Sequence, residues 1–163
     1  MEDALFIQKI KAILQNDGLS FEIETNGEVV TIQSFIPIAG KITSCAITAE
    51  IDFAHNFVIS TARVPIKITK SLNNLVLEYI SRANYALRVG YFQIDNKAKE
   101  VIYIIKQEFY SDASEEFYDH LARVLFFMPP GMIRRYGEGL LHLVYNKKNI
   151  SPEQAVFLAE KNK

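Results

Sequence analysis

The three histidines and the single cysteine are the residues whose side chains could most directly bind a metal ion or act as a nucleophile. His55, His120 and His142 are far apart, and none has a second histidine one helical turn away, the spacing that presents two imidazoles to a metal. Cys45 alternates within a strand-like run, and no adjacent residue would lower the pKa of its thiol. We therefore predict no metal site, a buried and unreactive Cys45, and positions for His120 and His142 at helix boundaries or on the surface.

Motifs for cofactors and phosphates are also missing from the sequence. It contains no GxSxG elbow, no P-loop and no dinucleotide fingerprint. Asp112, Glu115 and Glu116 cluster at a predicted helix start, where the helix dipole favours negative charge. The pair Arg134 and Arg135 favours a solvated face over a phosphate contact, because nucleic-acid footprints need a wider basic stripe. The prediction is a non-enzymatic protein with no cofactor.

Four residues of the central helix form a ridge beside its apolar face. Leu77, Ser81, Asn84 and Arg88 follow one another at spacings of four, three and four residues. In one interpretation the ridge packs under a loop or the last helices, with Asn84 bonding a nearby backbone group. In the other it is a protein-contact or dimer surface. The residue spacing leaves both open.

The rest of the chain is arranged around the stretch Ser71 to Asp95, which predicts a long amphipathic helix ending at Gly90 and running straight into a strand. Its apolar residues recur at the three-and-four spacing of one helix face. That face requires a sheet to cover it. Ser71 is predicted to cap the first turn, and Gly90 suits the left-handed conformation that ends a helix.

A helix over about Asp3 to Asn16 and four strand-like runs precede this unit, with a strong hairpin signal at Asn26-Gly27. Pro65 is predicted to end the strand segment. The four runs are predicted at about Ser20 to Thr25, Glu28 to Ile38, Lys41 to Phe53 and Asn56 to Val64. Their short connections favour antiparallel neighbours.

After the central unit, Tyr91 to Asp95 and Glu100 to Tyr110 predict a second hairpin, followed by a helix from about Ala113 to Met128. Pro129-Pro130 is expected to break or sharply kink that helix, since proline lacks an amide hydrogen and collides with the preceding turn. Ser151-Pro152-Glu153-Gln154 has the pattern of a capping box that opens a short last helix.

Composition and charge exclude several classes of protein. The 163 residues carry 18 basic and 19 acidic side chains, a formal net charge of −1, so no overall field attracts nucleic acid or an anionic membrane. The chain begins with two acids and lacks a signal-peptide pattern, and no stretch is long and apolar enough to span a bilayer. With one cysteine, these features predict a cytoplasmic protein that binds neither nucleic acid nor membrane.

Several short motifs carry a resemblance to a known family. They are Ile80-Ser81-Arg82-Ala83-Asn84, then Gly90-Tyr91-Phe92 and Val101-Ile102-Tyr103, and the closing Ser151-Pro152-Glu153-Gln154-Ala155. These motifs and the order of the elements resemble the YbjN domain family of bacteria, whose members share the fold of type III secretion chaperones. The resemblance covers nearly the whole chain.

The resemblance implies an α+β fold, a two-layer sandwich in which an antiparallel sheet packs against helices, in a single domain over residues 1–163. It further implies frequent pairing as a homodimer and a role in protein binding or regulation, and it transfers no active-site residues. Two features depart from the family pattern: more strand in the N-terminal half, and the break at 129–131 within the third helix.

Two functions are therefore weighed. The first is a non-enzymatic, chaperone-like or regulatory adaptor that binds a protein or peptide, or a second copy of itself, through Leu77, Ser81, Asn84 and Arg88. The second is a small-molecule sensor or enzyme whose site is assembled from distant residues. Its candidate lining residues are Tyr85, Tyr91, Tyr103 and Tyr110.

Overall fold

A computed structural model describes residues 2–110, 112–145 and 149–161. This described part of the chain forms four α-helices, six β-strands and one turn of 3₁₀ helix at Lys70–Leu72. In chain order the helices and strands are α1 Glu2–Asn16, β1 Phe21–Asn26, β2 Val29–Pro37, β3 Ser44–Asp52, β4 Phe57–Lys67, α2 Asn73–Tyr85, β5 Tyr91–Asp95, β6 Glu100–Glu108, α3 Glu115–Val144 and α4 Pro152–Lys161.

The strands form one antiparallel sheet in the order β1-β2-β3-β4-β6-β5. The predicted first hairpin is confirmed, because Asn26 pairs with Val29 and Gly27 has the positive φ of a tight turn. β5 follows α2 in the chain but lies at the sheet edge, outside β6. The position of β5 places an open strand edge beside α2.

The core lies between one face of the sheet and the helices. Inward residues alternate along the strands, as in Ile32, Ser34 and Ile36 of β2, while Gln33 and Phe35 face outward. Buried residues from all four helices join that inward face in a single cluster. The predicted α+β fold, an antiparallel sheet packed against helices, is confirmed; the extent of the domain over 1–163 stays a prediction.

The third helix corrects the prediction of a break at 129–131. α3 runs for 30 residues through Pro129 and Pro130, both buried. Pro129 cannot donate to the Leu125 carbonyl, its regular partner four residues earlier. The hydroxyl of Ser60 on β4 donates to this carbonyl instead, at 2.7 Å in the core. The donor that the proline removes is therefore supplied by the sheet.

Pro65 also fails to end its strand, since β4 continues to Lys67. The pairing of β4 with β6 shifts register between Val64 and Lys67, so the proline lies at an irregularity where the ladder is interrupted. On the other side of β4, the pairing with β3 reaches only Arg63. Pro65 therefore removes no amide that the regular ladder would use.

Side chains cap α3 and α4, and of the two caps predicted at Ser71 and Ser151 only the second is present. Ser114 accepts from the Phe117 amide at the start of α3, and Ser151 and Gln154 bond each other's backbone amides at 3.2 and 2.9 Å, as the capping box predicts. The predicted cap at Ser71 is wrong. Ser71 lies inside the 3₁₀ turn, and α2 begins after it at Asn73 with no side-chain cap.

The central helix is also shorter than predicted. α2 ends at Tyr85, and the amides of Ala86 and Leu87 close tight turns onto Ala83 and Asn84. Gly90 has a φ of +67° but lies at the entry to β5, not at the helix end. Arg88 therefore lies in the connection between α2 and β5.

No helix in the part of the chain that the structure describes has both the length and the apolar character needed to cross a bilayer.

Candidate protein-contact site

Three of the four predicted ridge residues lie along one groove between α2 and the edge strand β5. Leu77 has 44% of its surface exposed, Ser81 is exposed, and Asn84 is half-buried. The groove has a volume of about 550 Å³. It is lined by Asn73, Leu77, Ile80, Ser81, Asn84, Phe92, Gln93, Ile94 and Asn96. We refer to it as the α2–β5 groove. Arg88 is exposed and is not among these lining residues.

Asn84 connects the two walls of the groove. Its side-chain amide donates to the Phe92 carbonyl at 2.9 Å, and its side-chain oxygen accepts from the Phe92 amide at 2.7 Å. The side chain thus bonds Phe92 as a neighbouring strand would. This is the backbone contact that the first interpretation of the ridge expected, and it fixes the end of α2 against β5.

The contact with Asn84 also shows which peptide groups of β5 face outward. In an antiparallel pair, alternate residues bond the partner strand and the residues between them face away. Because Phe92 bonds Asn84, its peptide groups face away from β6, and those of Ile94 face the same open edge two residues later. The Asn84 side chain occupies the first outward position, and the second borders the groove.

The lining of the groove is electrically neutral. None of the nine described residues that line it is ionisable. At its β5 end, the pKa of the Asp95 carboxyl is held below its usual range by the Ala98 amide and then by Arg63, whose Nη1 lies 3.1 Å away. Beside the groove, Arg82 pairs with Glu78 at 3.1 Å. Both of these charged pairs are thus neutralised within the protein.

The residues that could do chemistry do not come together. In the described chain, no three His, Cys, Asp or Glu side chains form a group that could hold a metal. Cys45 is buried as predicted, and burial raises the pKa of its thiol to about 12, so the thiol stays protonated. The expectation for both histidines is confirmed, because His120 is exposed and His142 lies in the last turn of α3. His142 is only 7% exposed, on the inward side of α3.

The four tyrosines proposed for a small-molecule pocket are also dispersed. Tyr103 is fully buried, with its hydroxyl donating to the Val89 carbonyl, whereas Tyr85 and Tyr110 are 97% and 67% exposed. They therefore form no common lining.

The far wall of the α2–β5 groove is the part that sequence reasoning missed. Gln93, Ile94 and Asn96 reach the groove only because β5 is an edge strand. Local patterns identify a strand at 91–95 but not its position in the sheet order. The short segment of four residues between α2 and Gly90 was the available signal, since it keeps β5 next to α2.

Comparison with known proteins supports the fold. No family model and no curated protein matches the chain. Among solved structures, the chain is similar to the crystal structure of YbjN from E. coli, a candidate transcription regulator. The TM-score is 0.51 at 12% sequence identity, over 82% of this chain and 93% of that one. This likeness agrees with the resemblance in the sequence, and at this identity it establishes the shared fold alone.

Proposed function

We propose that this protein is a non-enzymatic binding module, chaperone-like or regulatory, that holds an extended segment of a partner protein in the α2–β5 groove. The observation that carries the proposal is a neutral groove, with apolar and amide side chains, that runs along an open strand edge. Leu77, Ser81 and Asn84 are its contact residues on α2. The proposed location is the cytoplasm.

The neutral lining of the groove favours an uncharged segment of a partner protein over a charged ligand. The sequence is 23% charged, yet the described lining of the groove contains no charged residue. The centres of protein interfaces are depleted in charged residues, because each buried charge must be desolvated. Leu77 adds an exposed apolar side chain, which a partner would cover.

The strand edge favours an extended segment over a helical one. A helix satisfies its own backbone and would leave the outward amide and carbonyl of Ile94 unused. An extended segment can bond both, as in strand addition to a sheet edge. Asn84 already occupies the Phe92 position, so the segment pairs with β5 at Ile94 alone and then passes over Leu77. Such limited pairing fits a binder that releases its partner.

A second copy of the chain is the alternative occupant. A homodimer through this groove would use the same residues, so it is distinguished by the mass of the complex and by the absence of a foreign protein. The structural likeness to a candidate transcription regulator is compatible with a regulatory role.

Replacing Leu77 with aspartate is expected to weaken partner binding about tenfold or more, because a charge would then face a segment that excludes water. Since Leu77 is 44% exposed, stability should change by about 0.5 kcal/mol or less. The measurement is the mass and composition of the complex recovered with tagged protein from its own host, together with a melting curve of each variant.

Leu158→Asp is the matched control, since Leu158 is a helical leucine with 43% exposure on α4. It should leave the complex intact. Arg88→Glu should have a small effect, since Arg88 does not line the groove. If Leu77→Asp and Leu158→Asp retain the same complex, or if the wild-type protein is recovered only as a monomer, the proposal is wrong.

A further inference from the structure

A second cavity, of about 710 Å³, lies between the β2–β3 connection, the second half of α3 and α4. This volume is in the range of small-molecule sites in proteins. The cavity contains the Arg134-Arg135 pair, which the groove on α2 does not use. We refer to it as the α3–α4 cavity.

The cavity lining includes two cationic side chains without an acidic partner in the described chain. Within the described ranges, neither Arg134 nor Arg135 makes an ion pair, and the Nε of Arg135 is buried without a hydrogen-bond partner. The one carboxylate in the described lining, Glu138, pairs with Lys41 and lies 3.6 Å from the His142 Nε2. Because Glu138 is engaged there, the two guanidinium groups have no acidic partner among the residues that the structure describes.

Apolar residues also line the cavity. Ile42 from the β2–β3 connection, Ile133 from α3 and Leu158 from α4 line it, and Leu158 is 43% exposed. A ligand that complements both kinds of residue has an anionic group and an apolar body. Guanidinium groups bond carboxylate and phosphate oxygens in pairs, which suits such a headgroup.

We infer that the α3–α4 cavity binds a small anionic amphiphile, whose carboxylate or phosphate monoester group is held by Arg134 and Arg135 and whose apolar chain lies against Ile42 and Leu158. This inference does not depend on the proposed partner binding. The cavity is separated from the α2–β5 groove, with which it shares no lining residue in the described chain.

The test is titration calorimetry of the full-length purified protein with octyl phosphate and octanoate. Octanol, which has the chain alone, and inorganic phosphate, which has the headgroup alone, are the matched probes. We expect at least one of the two amphiphiles to bind at least tenfold more tightly than both octanol and phosphate. The stronger of the two identifies the headgroup. Arg135→Gln should weaken the binding about tenfold, since it removes a charged donor pair.

Arg123→Gln is the control on the same helix, because Arg123 is exposed and pairs with Asp119 at 2.9 Å. It should leave the affinity unchanged. Arg134→Gln gives a second test if Arg135→Gln does not fold. Failure of both amphiphiles to bind, binding of octanol as tight as that of the amphiphiles, or full affinity in the folded arginine variants would overturn the inference. The experiment uses no partner protein, so its failure leaves the proposed function unaffected.

Discussion

Replacing Gly90 with alanine is expected to lower the free energy of unfolding by about 3 kcal/mol. Gly90 has a φ of +67°, a backbone conformation that is unfavourable for any residue with a Cβ atom. A Cβ there would also lie 2.6 Å from the Tyr103 hydroxyl oxygen and 2.7 Å from the Ile104 carbonyl oxygen. The backbone of β6 cannot move away without breaking its pairing with β5, so the clash adds to the conformational cost.

Gly27→Ala separates these two contributions. Gly27 has nearly the same φ, +62°, but a Cβ atom added to it would have no described atom beyond its chain neighbours within 4 Å. Replacing Gly27 with alanine should lower the free energy of unfolding by about 1 kcal/mol, because only the unfavourable backbone conformation contributes there. Urea unfolding of both variants measures the difference. Equal losses would show that β6 does not approach Gly90 as closely as described.

Replacing Ser60 with alanine is expected to lower the free energy of unfolding by about 2 kcal/mol, the second largest effect after that of Gly90→Ala. The Ser60 hydroxyl donates to the buried Leu125 carbonyl, whose regular helical donor is missing at Pro129. Alanine would leave this carbonyl without a donor inside the core, where an unsatisfied polar group is costly.

Pro129→Ala tests this explanation directly, because it restores the amide hydrogen at position 129. In that background the loss caused by Ser60→Ala should fall by about 1 kcal/mol or more, since the Leu125 carbonyl regains a helical donor. The four proteins of the cycle are compared by urea unfolding. Strictly additive effects would show that Ser60 does not compensate for the proline.

Much of the fold follows from local patterns. The strand alternation, the Asn26-Gly27 turn and the capping box at Ser151 depend on residues close in sequence, and the structure confirms each. These features could be predicted because the physical partners of each residue are its near neighbours.

The wrong predictions concern features that depend on contacts between residues distant in the sequence. From the sequence alone, the proline pair predicts a break in α3. The donor that replaces the missing amide, Ser60, lies 65 residues away from Leu125 and cannot be recognised from the local pattern. The predicted length of α2 is too great because Asn84 bonds the Phe92 backbone, which turns the chain back before Gly90. None of these partners can be located from local periodicity.

In the candidate site, too, the part set by local sequence could be predicted and the part set by distant residues could not. Helical spacing identifies the row Leu77, Ser81 and Asn84, and the structure places all three on one groove. Arg88 joins the predicted row only if the helix continues to it, which it does not. The β5 wall could not be predicted, since it depends on the order of strands in the sheet.

The most direct test of the proposed function is photocrosslinking in the native host, with a photoreactive phenylalanine analogue placed at position 77. The same analogue at position 158, which is equally exposed on α4, is the control. We expect position 77, and not position 158, to crosslink one defined protein through an extended segment, located by mass spectrometry. Equal crosslinking from both positions, or none from position 77, would contradict binding in the α2–β5 groove.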